Sequence, residues 1–218
     1  MLKAQDIYKQ LKKLTCELIE SGLCSEENFP SMASCPDNVT EIGIAKKDYS
    51  IFLKSMPYSD MYRITLERKI YNIKMIDGAL LTLLYRFHNN EIIAHRLSYF
   101  PDPNLIAFQN EPELYKDDEL YADILDCRIV TVPIRFDFDI NASHPLDHPT
   151  SHLTLGQYKN CRIPVSSALT PYQFILFIIT NFYHSSVAQL KLPLFKEKFS
   201  ESILPEERKL IHLNTPMY

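Results

Sequence analysis

Three runs rich in Ile, Leu, Tyr and Phe follow one another between Lys69 and Phe100: Lys69–Ile76, Ala79–Phe87 and Glu91–Phe100. Asp77-Gly78 separates the first two and Asn89-Asn90 the second pair. Asn, Asp and Gly tolerate the positive φ that two-residue hairpin turns require. The stretch therefore predicts a three-stranded antiparallel meander. A sheet of this kind must bury at least one apolar face, so the rest of the chain has to supply its cover.

A fourth strand is predicted over Arg128–Ile140, where Ile134, Phe136, Phe138 and Ile140 alternate with Arg135, Asp137 and Asp139. A loop rich in Pro and His (141–150) leads to two short strands, Ser151–Leu155 and Arg162–Val165. The cover comes from both ends of the chain. Over residues 3–22, Ile7, Leu11, Leu14, Leu18 and Ile19 recur at helical spacing and Gly22 supplies a stop. Thr170-Pro171 opens a strongly apolar helix over 171–184. Residues 24–39 read as a polar loop, and 40–57 carry no clear period. Ser59-Asp60 would cap a short helix to Glu67. The carboxylate-dense 111–126 reads as an acidic amphipathic helix, and the polar tail from 191 as helical near 205–211. These elements imply an α+β fold: a mainly antiparallel sheet of five or six strands (the meander plus three later ones), with N- and C-terminal helices packed on one face. One domain over 1–218 is expected, made of an N-terminal helix and loop (1–40), a core (68–184) and a tail (191–218).

Composition narrows the chemistry. The four glycines, Gly22, Gly43, Gly78 and Gly156, lie far apart, so no dinucleotide fingerprint or Walker-type phosphate loop is present. A net charge of −4 excludes a global basic field, although the negative charge gathers in the middle third. Five irregularly spaced cysteines with no C-x-x-C argue against a disulfide framework or zinc ribbon and point to a reducing, cytoplasmic setting. The first residues lack the apolar core of a signal peptide, and no apolar run reaches the ~20 residues of a membrane span.

The residues with chemistry cluster between Pro133 and Asn181. Arg135, Asp137 and Asp139 share one strand face, and His152 and Thr154 share a face of theirs. If these strands join one sheet, Arg135, Asp137, Asp139, His152 and Arg162 gather into a polar surface. His152 is then the candidate acid/base, Asp137 its orienter or a metal ligand, and Arg135 and Arg162 the phosphate clamps. His148, Asp139 and Thr154 are candidate substrate contacts. The bland alternative is a cross-strand Arg–Asp ladder on a solvated face. His144, His148 and His152 recur at i, i+4 and i+8, a helical metal-ligand spacing, but Pro145 and Pro149 break any such helix. No cofactor is implied, and a divalent ion remains an alternative for a folded loop. Arg86, His88 and Arg96 read as hairpin residues. Cys161 reads as structural despite its neighbour Arg162, and the 171–184 aromatics as core.

The runs PIRFDFD, HPTSHLTLGQYKNCRIPVS, LTPYQF and NFY resemble an uncharacterised bacterial domain-of-unknown-function family. So do IDGALLTLLYRF, HRLSYFPDPN, FQNEPELY and DELYADI upstream. The resemblance covers about residues 70–184 and implies no activity. A second likeness is to TumE-type toxins of toxin–antitoxin pairs, carried by Arg135-Phe136-Asp137 and the loop histidines His148 and His152. The longer N-terminal region and the acidic insert depart from that pattern. This likeness implies a toxin-like or phage-defence-like protein acting on nucleic acid, with RNA cleavage by a His/Asp/Arg site. The alternatives are a non-catalytic subunit of a larger complex and a metal-dependent hydrolase. A protein partner, such as an antitoxin or a second copy, is expected, and a membrane is not.

Overall fold

The computed structural model describes residues 2–45, 49, 55–116, 122–124, 128–187 and 190–215. Helix α1 (Ala4–Glu20) buries Ile7, Leu11, Leu14 and Leu18 completely, while Ile19 turns outward. Gly22, at φ +76°, ends it in the left-handed conformation a glycine adopts without strain.

The expected polar loop at 24–39 is instead strand. β1 (Cys24–Glu27), β2 (Ser31–Cys35) and β3 (Val39–Gly43) precede α2 (Tyr58–Glu67). These strands escape a periodicity reading because β1 and most of β2 present little buried apolar surface. Backbone pairing with their neighbours holds them instead. Asp37 and Asn38, both at positive φ, turn β2 into β3. Pro57 sits at the N-cap of α2, so Ser59 and Asp60 lie inside the first turn and do not cap it.

The meander is present as β4 (Ile73–Met75), β5 (Leu80–His88) and β6 (Glu91–Phe100). Asn89 and Asn90, at φ 50° and 66°, form the two-residue turn, with His88 opposite Glu91. The β4–β5 turn is longer than expected. The Met75 amide donates to the Ala79 carbonyl, leaving Ile76, Asp77 and Gly78 outside the ladder, with Gly78 left-handed.

β7 (Ile134–Asp139), β8 (Ser151–Leu155) and β9 (Ile163–Pro164) complete the sheet. β7 is shorter than the 128–140 reading. Residues 128–133 stay outside the ladder, with Val130 86% exposed. Among the described residues the sheet has nine antiparallel strands, ordered β1-β4-β5-β6-β7-β8-β9, with β3 on the free stretch of β5 and β2 beyond it.

In place of a 111–126 helix there are two short ones, α3 (Ile106–Asn110) and α4 (Pro112–Lys116). Residues 117–121 and 125–127 lie outside the described residues. Asp123, between them, is not helical: its amide donates to the Phe182 carbonyl. Helix α5 (Pro171–Phe182) starts with a reciprocal cap. Thr170 Oγ1 accepts the Gln173 amide, and Gln173 Oε1 accepts the Thr170 amide. Among the described residues the tail holds one 3-10 turn, Glu207–Lys209, and runs back along the sheet end, Leu213 beside Val165.

Helices α1 and α5 pack together on one sheet face, as expected. Gln10 of α1 accepts the Tyr172 amide of α5, and both helices share a core with Leu97, Phe136, Phe138 and Leu153. Helix α2 lies against the other face, where Met61 and Tyr62 pack on Tyr71, Leu80 and Phe100. The described residues therefore cover that second face only in part. No helix among the described residues is long and apolar enough to cross a membrane.

Candidate functional site: a cationic cleft on the open sheet face

Alternation in β7 sends Phe136 and Phe138 into the α1/α5 core and Arg135, Asp137 and Asp139 to the opposite face. Antiparallel pairing then chooses their neighbours. Asp137 lies between Arg96 of β6 and His152 of β8, and Arg135 between Ser98 and Thr154. The four predicted residues Arg135, Asp137, His152 and Arg162 thus line one cleft of about 1100 Å³, together with His148, Asp139 and Thr154. Arg86, Arg96 and Lys159 join them, so among the described residues the lining carries five permanent cations against two carboxylates.

Asp137 organises the centre. Arg96 Nε donates to its Oδ1 at 2.9 Å and Arg135 Nε to its Oδ2 at 2.5 Å. Burial pushes this carboxyl upward, but the charges of Arg135 and Arg96 outweigh it and hold the pKa below the usual range. The guanidiniums keep about a quarter of their side-chain surface exposed. Each meets Asp137 through Nε, and no described residue accepts from the Nη ends, which are available to a ligand anion. Both carboxylate oxygens of Asp137 are thus engaged by guanidiniums.

His152 is 3% exposed. Its Nδ1 lies 2.9 Å from the Pro149 carbonyl, which can only accept, so Nδ1 carries the hydrogen and Nε2 keeps its lone pair in the neutral ring. Nε2 stands 3.8 Å from Asp137 Oδ2, beyond hydrogen-bond reach. Burial lowers the His152 pKa more than the Pro149 bond and the Asp137 charge raise it. The ring is therefore neutral near pH 7, a base with a free nitrogen beside two guanidiniums. The His148 ring lies against it, tilted by 55° with 4.8 Å between ring centres, its own Nδ1 held by the Ala142 carbonyl.

The remaining predicted residues play smaller parts. Asp139 Oδ1 accepts the amides of Asn141 and Ala142 and so shapes the turn at the cleft end. Arg162 is tethered at the rim by Nη1 to the Asp147 carbonyl, 3.2 Å. Thr154 lies on the floor, buried. His144 stays exposed, its backbone closing a tight turn with His148. Cys161 Sγ accepts the Leu155 amide. Among the described residues no three His, Cys, Asp or Glu side chains are placed to hold a metal ion.

Sequence reasoning placed Arg96 on a hairpin and missed its role. The cause is a bulge: Phe87 faces Ile92, but Arg86 faces Ala94. The extra residue, Ile93, reverses the alternation of β6. His95 therefore points into the core, where burial drives its pKa down to about 3, and Arg96 points into the cleft. Without the bulge the two would exchange faces. No residue pattern announces it.

Residues 23–215 match the family model DUF2290, an uncharacterized conserved protein. The chain belongs to this family. The match extends well beyond the 70–184 stretch of the quoted motifs and takes in β1–β3, α2 and the returning tail, the whole DUF2290 sheet included. No curated protein and no solved structure matches the chain.

Proposed function

We propose that the cleft binds and cleaves an RNA phosphodiester. The observation that carries this reading is His152, a buried neutral imidazole whose unprotonated Nε2 opens beside the Arg96–Asp137–Arg135 cluster. The Nη ends of Arg96 and Arg135 hold the phosphate oxygens. His152 Nε2 takes the proton of the adjacent 2′-hydroxyl, whose oxygen attacks phosphorus. The bond to the 5′-oxygen breaks, and that leaving oxygen takes a proton from water. The products are a 2′,3′-cyclic phosphate and a 5′-hydroxyl. Asp137 keeps both guanidiniums aimed at the charge that develops. Arg162 and Lys159 extend the contact to neighbouring phosphates.

The likeness of Arg135-Phe136-Asp137 and the loop histidines to TumE-type toxins supports a toxin-like or phage-defence-like role, with a protein antitoxin or complex subunit as partner. The unpaired Cys16, Cys24, Cys35 and Cys161 suit a cytoplasmic setting.

The test is cleavage of a fluorogenic single-stranded RNA. His152→Ala lowers the rate by ~10²-fold or more, and Asp137→Asn lowers it strongly, while both variants keep their circular dichroism. A 2′-deoxy substitution at the scissile nucleotide abolishes cleavage. Because the His152 pKa lies below its ordinary value, the rate holds through neutral pH and falls only on the acid side of about 6.5. Wild-type rates in both variants would sink the assignment.

A non-catalytic subunit is the second reading, favoured by the exposed apolar run Ile129, Val130 and Val132 beside β7. It predicts self-association or complex formation that Val130→Asp weakens in analytical ultracentrifugation. A monodisperse monomer with full RNase activity would count against it.

A further inference from the structure

The cleft is polar at its centre but not along its whole length. Asp139, His148 and Arg86 lie toward one end of the strands. Met56, Met61, Phe100 and Tyr158 lie toward the other. Tyr158 is 75% exposed, and no described ring stacks on it.

Tyr158 also stands on a loop tied down on every side. The Gly156 amide donates to the Pro133 carbonyl at 2.7 Å, and Gln157 Nε2 reaches across to the Met56 carbonyl at 2.9 Å. The Cys161 amide returns to the Tyr158 carbonyl, and Cys161 Sγ accepts the Leu155 amide. Gly156 has φ +64°, and the Cδ2–Cε2 edge of the tyrosine lies over it, where a Cβ would stand 3.4–3.5 Å away. The ring is therefore presented on a held turn. Three residue steps of β8 separate His152 from Leu155, about 10 Å along the strand. That is the scale on which a nucleotide separates its phosphate from the far edge of its base. Lys159 beside it adds a cation for the next phosphate.

Resting on the phosphodiesterase reading of the cleft, we propose that Tyr158 is a stacking platform for an unpaired nucleobase, which makes single-stranded RNA the substrate class. The base lies on Tyr158 between Met56 and Lys159 while its phosphate meets Arg96 and Arg135. A paired base offers no free face to such a platform, so duplex RNA binds only through its phosphates. Tyr158 acts in binding and selection and touches no reacting atom.

Fluorescence anisotropy with a 2′-O-methyl octanucleotide, which binds but cannot be cleaved, tests this on the full chain. The companion probes are the same sequence as a duplex, an oligonucleotide with one abasic position, and inorganic polyphosphate. The single strand binds more tightly than the duplex. Tyr158→Ala weakens single-strand binding by ~10-fold or more, the scale of one base–aromatic stack, and leaves polyphosphate binding unchanged. Tyr158→Phe restores the single-strand affinity. In the wild type some abasic positions reproduce the loss, and in Tyr158→Ala they have no further effect. Equal single-strand affinity in the wild type and Tyr158→Ala, with polyphosphate still bound, overturns the platform and leaves the anion site standing. If the wild type binds neither RNA nor polyphosphate, both readings fail together.

Discussion

The two faces of β6, β7 and β8 are made by the same three strands and behave oppositely. On one, Leu97, Phe136, Phe138 and Leu153 meet α1 and α5 in a dry core. On the other, Arg96, Arg135, Asp137 and His152 form an ionic cluster under an open cleft. Because the charged residues sit directly behind packed aromatics, they cannot relax away from one another. The dry face thereby holds the wet one in position. A carboxylate bridging two arginines on a mobile surface contributes little, but the same group nearly buried and backed by Phe136 sets the electrostatics of a site.

Phe136→Ala attacks the comparison most directly. Phe136 meets Phe174 and Phe177 edge-on, so truncation opens a cavity and lowers stability by ~3–5 kcal/mol in urea unfolding. If the dry face holds the wet one, the proposed RNA cleavage also falls in single turnover under conditions where the variant is still folded.

Asp137→Asn acts from the other side. It leaves two partly buried guanidiniums without their countercharge and costs ~2–4 kcal/mol, below the figure for fully buried pairs because Arg96 and Arg135 keep some solvent. Since this carboxyl is held below its ordinary pKa, its contribution is present at neutral pH and is lost as pH falls through the native value. The wild type should lose that stability in acid, and the variant should not.

Asp77 is a buried carboxyl away from the cleft and serves as a control. Burial raises its pKa to about 6, although the Ala79 amide and the Tyr183 hydroxyl bond to it. The raised value means stability is greatest below the unfolded pKa and declines as pH rises through about 6. Asp77→Asn should remove that decline, gaining ~1–3 kcal/mol at pH 8 relative to the wild type, with no change in RNA binding. The smallest effect is expected for Thr170→Ala, which removes the α5 cap and costs ~1 kcal/mol in thermal or urea unfolding.

Much of the fold was legible because apolar side chains recur with the period of their element. The alternation of Ile134, Phe136 and Phe138 marked β7, the stripe of Ile7, Leu11, Leu14 and Leu18 marked α1, and Asn89-Asn90 marked its hairpin turn. β1 and β2 were illegible for the same reason: their residues bury little, and what holds them is backbone pairing, of β1 with the distant β4 (Glu27 with Ile73) and of β2 with the adjacent β3. The 128–140 strand was overextended because Val130 and Val132 continue the alternation past the point where a partner strand exists to use it.

The residues themselves determined that an antiparallel sheet would form, that helices from both ends would cover one face, and that Arg135, Asp137, His152 and Arg162 were the groups with chemistry to offer. Local periodicity is enough for that, since it depends only on neighbours a few positions away. Tertiary structure alone decided that Arg96 joins them and His95 does not, that Asp137 is held by two arginines, and that Tyr158 stands over the end of the cleft. Each of these rests on register: one bulge at Ile93 exchanges the faces of a strand, and pairings with strands on either side of β7, such as Arg96 with Asp137 and Asp137 with His152, choose the neighbours of the candidate site.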